Sequence, residues 1–140
     1  MRIVVAVDGS PVSARVARHV VAMAKAMRKP PAIVLLVVDI PMMPGVERKI
    51  GAAALRRFHE ETFTHALRHA REALARAGVA WQEDTVVGVP ADEIVKACAR
   101  HDADLLVMGS RGQGAMKSAL VGSVAMKVVA AGKTPVTLVR

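Results

Sequence analysis

The sequence predicts an α/β fold: a single three-layer sandwich whose five-stranded parallel sheet, in the order 3-2-1-4-5, carries helices on both faces. Three observations predict it. Short runs rich in Val, Ile and Leu recur without the polar alternation of a half-exposed strand, as strands buried on both faces require. Stretches with a helical period separate them, giving β-α-β-α-β-α-β-α-β, and such alternation builds a parallel sheet. Glycine and proline mark the junctions. The 140 residues suit one domain, 1–140.

Residues 2–8 are the first strand, ending in the turn Asp8-Gly9-Ser10-Pro11. A helix follows over 12–28, with Pro11 near its first turn and Val12, Val16, Val20, Ala24 and Met27 on one side. Lys29-Pro30-Pro31 stops it, and residues 32–39 form the second buried strand. Pro41-Met42-Met43-Pro44-Gly45 reads as a mobile loop that includes the paired methionines. A long helix over 47–77 places Leu55, Phe58, Thr62, Ala66 and Ala70 inward and ends at Gly78. The third strand is 80–87, the next helix 91–101 after Gly88-Val89-Pro90, and the fourth strand 104–108. A helix over 122–131 and a strand over 135–139 complete the chain.

Composition narrows the function. Apolar residues make up 53% of the chain, but only two Phe, one Trp and no Tyr are among them. Base-stacking surfaces need aromatics, so nucleic-acid binding finds no support beyond the net charge of +8, and the basic residues spread over 15–29 and 48–76 as solvated helix faces. No apolar run approaches the roughly 18–20 residues of a membrane span. The N-terminal run is short for a signal peptide and ends in Asp8. The lone cysteine, Cys98, excludes an internal disulfide and suits a reducing cytoplasm.

The chemistry concentrates after the fourth strand. Gly109-Ser110-Arg111-Gly112 follows it directly, nine residues intervene, and Gly122-Ser123 opens the next helix at Val124. Glycine lets backbone N–H groups approach an anion with no Cβ in the way, and a helix N-terminus adds unpaired donors and partial positive charge. Arg111 and Lys117 can neutralise phosphate. The spacing is neither a P-loop nor a dinucleotide fingerprint. Asp8, at the end of the first strand, either accepts ribose hydroxyls or caps the next helix. In a 3-2-1-4-5 sheet it neighbours the glycine junction at the point where strand order reverses, where such sheets bind ligands. His65 and His69 lie four apart on the long helix with Glu61 one turn away, a surface or packing pair without a clear third metal ligand. Cys98 reads as a buried thiol, Asp39 as a turn residue, and Asp92 and Glu93 as first-turn helix acids.

Three blocks give the chain a resemblance over its whole length to the universal stress proteins, in particular their ATP-binding subgroup. They are Ile3-Val4-Val5-Ala6-Val7-Asp8-Gly9-Ser10, Val87-Gly88-Val89-Pro90-Ala91-Asp92-Glu93-Ile94-Val95, and Ala103 through Gly112 continued by Gly122-Ser123-Val124-Ala125. The last matches the family's Gly-x2-Gly-x9-Gly-[Ser/Thr] motif. The resemblance implies a Rossmann-like fold of the adenine nucleotide alpha hydrolase-like kind. It implies a stress-response module in the cytoplasm that binds ATP, ADP or AMP, with Mg or Mn held mainly by the phosphates. Asp8 would sit by the ribose and Val37 would meet adenine through its backbone. Met108 and Gly109 would line the nucleotide, and Gly112, Gly122, Ser123 and Val124 would hold phosphates. Ala6 stands on the pocket wall where some members carry proline, and the Gln113-Gly114-Ala115 segment departs from other members. Family members commonly dimerise through the last strand, here 135–139, and an unknown protein partner is compatible with that. The alternatives are a nucleotide-independent homodimeric interaction protein, or a slow ATP hydrolase. Hydrolysis needs a group that positions water, and none is evident in the sequence.

Overall fold

The computed structural model describes residues 1–114 and 121–140. Its elements are β1 (Arg2–Ala6), α1 (Pro11–Ala26), β2 (Ala32–Asp39), α2 (Pro44–Ala77), β3 (Gln82–Val87), α3 (Pro90–Arg100), β4 (Leu105–Gly109), α4 (Ser123–Ala131) and β5 (Val136–Val139). All strand pairs are parallel, and the sheet order is β3-β2-β1-β4-β5, as the sequence predicts.

The period of two along each strand divides the core. Ile3, Val5 and Val7 of the first segment, with Ile33, Leu35 and Val37 of β2, pack against Val16, Ala17 and Val20 of α1 and Ala66, Leu67, Ala70 and Leu74 of α2. Val4, Val34, Leu36, Leu106 and Met108 face the other way, onto Ala91, Ile94, Ala97 and Cys98 of α3 and Ala125 and Val128 of α4. Two helices therefore cover each face. Few residues here are bulkier than Leu, and small Ala and Val side chains let the helices lie close to the sheet.

Several expectations shift. The loop before α2 is shorter than expected, because Pro44 already occupies its first turn, a place where a missing N–H does no harm. α2 is not one straight rod: at Gly51 the backbone leaves the helical region (φ 79°, ψ 160°). Its buried stripe also runs differently. Ala66 and Ala70 face inward as expected, but Phe58 is 43% exposed and its neighbour His59 is buried instead. β3 starts at Gln82 and β1 ends at Ala6, each shorter than the apolar pattern suggests.

A candidate nucleotide cleft at the strand ends

β1 and β2 run in register until Ala6 meets Leu36, and one further bond joins Val7 N–H to Leu36 O. β1 then turns away at Asp8, while β2 continues to Asp39 paired only with β3 on its far side. Leu36 O bonds β1 while Asp39 O accepts the Gly88 N–H on the β3 side, so by alternation the main-chain groups left open toward β1 are those of Val38. β4 runs parallel along β1's other side, with Ala6 beside Met108 and Gly109 one residue on, where the chain departs from the sheet. This divergence opens a cleft of about 640 Å³, within the range of roughly 300–1,000 Å³ typical of small-molecule sites.

All ten residues named from the sequence border it: Ala6, Asp8, Val37, Met108, Gly109, Arg111, Gly112, Gly122, Ser123 and Val124. Val37 sends its side chain into the core beneath the sheet, and its neighbour Val38, also on the cleft wall, is the residue whose main-chain groups turn to the open edge. Gly122 caps α4 and gives its own N–H to Ser110 O at 2.7 Å. Ser123 and Val124 are the first two residues of that helix, positions whose N–H groups have no acceptor within it. Lys117 lies outside the described residues.

Asp8 is held on both sides. Its Oδ1 accepts the Ser10 N–H at 3.0 Å and the Ser13 hydroxyl at 2.9 Å, and its own N–H donates to Ser13 Oγ at 3.1 Å. Its Oδ2 accepts the Gln113 N–H at 3.0 Å, and the Gln113 side-chain amide donates to the Asp8 carbonyl. Gly112 has to be glycine for this: a Cβ there would stand 2.6 Å from Asp8 Oδ2. Gly9, in the same turn, has φ 76° and lies so near α2 that a Cβ would meet the Ala66 Cα at 3.0 Å.

Sequence reasoning missed three contributors. Asp39 is more than a turn residue: Oδ1 accepts the Ile40 N–H at 2.9 Å, and Oδ2 lies 2.6 Å from Nδ1 of the buried His59. His59 in turn stacks on Phe63 of the same helix, ring centroids 6.2 Å apart, so the bond to Asp39 ties α2 to the end of β2. Ser10 and Ser110, only 5% and 3% exposed, line the cleft with hydroxyls that have no hydrogen-bond partner among the described residues. A buried hydroxyl without a partner costs about 1–3 kcal/mol, and a ligand oxygen would relieve it. Met42 and Met43 do not border the cleft, whereas Ile40 does.

Other expected features stay apart from the cleft. Among the described residues no cluster of His, Cys, Asp and Glu is placed to hold a metal, so His65 and His69 form no such site. Cys98 is buried, and burial pushes its thiol up from the ordinary value. No helix among the described residues is long and apolar enough to cross a membrane.

Residues 1–140 match the Universal stress protein family. The chain belongs to that family. It is 31% identical to Universal stress protein MJ0531 of Methanocaldococcus jannaschii over 139 residues, which is 99% of this chain and 81% of the relative. Among solved structures, MJ0577 of the same organism superposes with a TM-score of 0.84 at 28% identity, covering 99% of this chain and 94% of that one. A universal stress protein solved in complex with cAMP superposes at 0.71 with 29% identity, covering 100% of this chain and 97% of the other.

Proposed function

We propose that this universal stress protein binds an adenine nucleotide in the cleft and acts as a dimeric regulatory module of the stress response rather than as an enzyme. The observation that carries the reading is the convergence of the ten sequence-named residues on one cleft where β1, β2 and β4 part. Adenine meets the end of β2 at Val37 and the open main-chain edge of Val38, the ribose meets Asp8, and the phosphates meet Gly109, Gly112 and the start of α4 at Gly122, Ser123 and Val124. Arg111, half-buried in the cleft wall, offsets phosphate charge. The unpartnered hydroxyls of Ser10 and Ser110 fit a polar ligand. The solved relative holding cAMP supports the ligand class. The reading takes in ATP, ADP and AMP, with Mg or Mn carried by the phosphates of the longer ones.

Catalysis has little to work with. The carboxylates on the cleft wall among the described residues are Asp8 and Asp39, and both are committed, one to Ser10, Ser13 and Gln113 and the other to His59 and Ile40. ATP hydrolysis is accordingly slow or absent. Two copies pair through β5, and the cytoplasm suits the single free cysteine.

The test is to denature freshly purified protein, identify any small molecule released by chromatography and mass, and titrate stripped protein with AMP and with ATP and magnesium. Stoichiometric adenine nucleotide, or saturable binding of either ligand, is expected. Protein that comes empty and binds neither makes the glycine junction structural and brings forward the nucleotide-independent interaction protein.

A further inference from the structure

A carboxylate has about four lone-pair positions. In Asp8 three are filled: Ser10 N–H and the Ser13 hydroxyl on Oδ1, and Gln113 N–H on Oδ2. The first two donors belong to the turn that starts α1, and they cannot leave without undoing it. Gln113 differs. It comes from a loop 105 residues away in the chain, it is exposed, and its side chain adds a second tie to the Asp8 carbonyl. Gly112 also lies directly against Oδ2, which narrows the approach from that side.

Resting on the nucleotide reading, we propose that Gln113 competes with the ligand's ribose for Asp8 and thereby sets which ribose the cleft prefers. A ribose with both the 2′- and 3′-hydroxyl free offers two neighbouring donors and needs two acceptor positions on the outward side of the carboxylate. With Gln113 in place one remains. Binding a cis-diol through both hydroxyls therefore expels the Gln113 N–H, and the gain from the second hydroxyl is offset by the bond lost. A ribose with a single free hydroxyl, as in 2′-deoxy or 3′,5′-cyclic nucleotides, uses the remaining position and leaves Gln113 where it is. Gln113 thus levels the affinities of the two ligand classes, which Asp8 by itself would separate in favour of the diol.

The experiment compares AMP with 2′-deoxy-AMP, which differ by one hydroxyl, on the full chain by titration calorimetry. Q113A removes the side-chain tie. Q113E keeps the length but sets a second carboxylate against Asp8, and any effect of its charge on the phosphate cancels in the ratio of the two ligands. The parent is expected to bind both about equally. Both variants are expected to prefer AMP by about two- to tenfold, the equivalent of one hydrogen bond, and that preference should vanish when Asp8→Ala is added. An unchanged ratio in both variants, or a preference that survives Asp8→Ala, overturns the proposal while leaving nucleotide binding intact. A parent that binds neither ligand overturns the nucleotide reading and this proposal with it.

Discussion

A methyl group at Gly122 would stand 3.4 Å from the Cα of Arg111 and 3.4 Å from the Ser110 carbonyl oxygen. One carbon fits there with slight adjustment, but the two further methyls of valine have to find room in the same approach, beside Arg111, Ser110 and the Gly112 N–H. Gly122→Val is therefore expected to weaken ATP binding by about tenfold to a hundredfold, the loss of one hydrogen bond to a charged group. Gly122→Ala should keep the fold and most of the affinity. Calorimetric titration of both decides it, and a valine variant that binds ATP as tightly as the parent removes Gly122 from the phosphate site. The glycine spacing and Asp8 were legible because a motif is a local pattern. The contacts around them were not. That Gln113 reaches Asp8 depends on two loops meeting across 105 residues. That His59 rather than Phe58 turns inward depends on the bend of α2 and on Asp39 waiting at the end of β2. Hydrophobicity alone favours Phe58, and a buried hydrogen bond to a carboxylate outweighs it.

Among the elements, the sheet order was readable because right-handed crossovers and buried strands leave few arrangements, whereas the bend at Gly51 was hidden in an Ala-rich helical pattern that tolerates glycine. β3 is an edge strand whose first four residues, Gln82 to Thr85, are polar or charged, and side-chain bonds fasten it. Arg71 of α2 grips Glu83 through two bonds of 2.8 and 2.7 Å, and the Trp81 indole N–H joins the same carboxylate at 3.0 Å. On the other face, Asp84 Oδ2 receives Arg100 at 2.5 Å and lies 2.7 Å from His101 Nε2, tying β3 to the end of α3. Burial works against ionising Asp84, but the hydrogen bonds from Arg100 and His101 outweigh it and hold the carboxyl below its ordinary range. A depressed folded value means that the stabilisation is complete above the unfolded value of about 3.9 and is lost as pH falls through the folded one. Asp84→Asn should thus be less stable than the parent at neutral pH, and the gap should narrow below about pH 3.9 and close under stronger acid. Urea midpoints of both proteins across that range measure it. A gap of constant size down to the acid limit would show that the charge of Asp84 contributes nothing.

At the scale of the molecule the two sheet edges are unlike. β3 is charged and tied down, while β5 consists of Val136, Thr137, Leu138 and Val139, each half-buried, at an edge with no further strand among the described residues. Leu106 N–H donates to Pro135 O and Ser110 N–H to Val139 O, so the odd-numbered residues of β5 face β4. Val136 and Leu138 then turn their N–H and C=O outward, as alternation along a strand requires. Beside them α4 exposes Met126 and Val129, 59% and 52% accessible. An apolar edge with free main-chain groups invites another strand, and a second copy related by a two-fold axis would present the same edge antiparallel to the first. The parent is therefore expected to sediment as a dimer. Val136→Pro removes one outward N–H, at the first position of the strand where proline is tolerated, and leaves the ladder to β4 intact. It should sediment as a monomer with an unchanged circular dichroism spectrum. A parent that stays monomeric at every concentration, or a proline variant that remains dimeric, would mean that β5 is a true edge and that copies of the chain, if they associate, do so elsewhere.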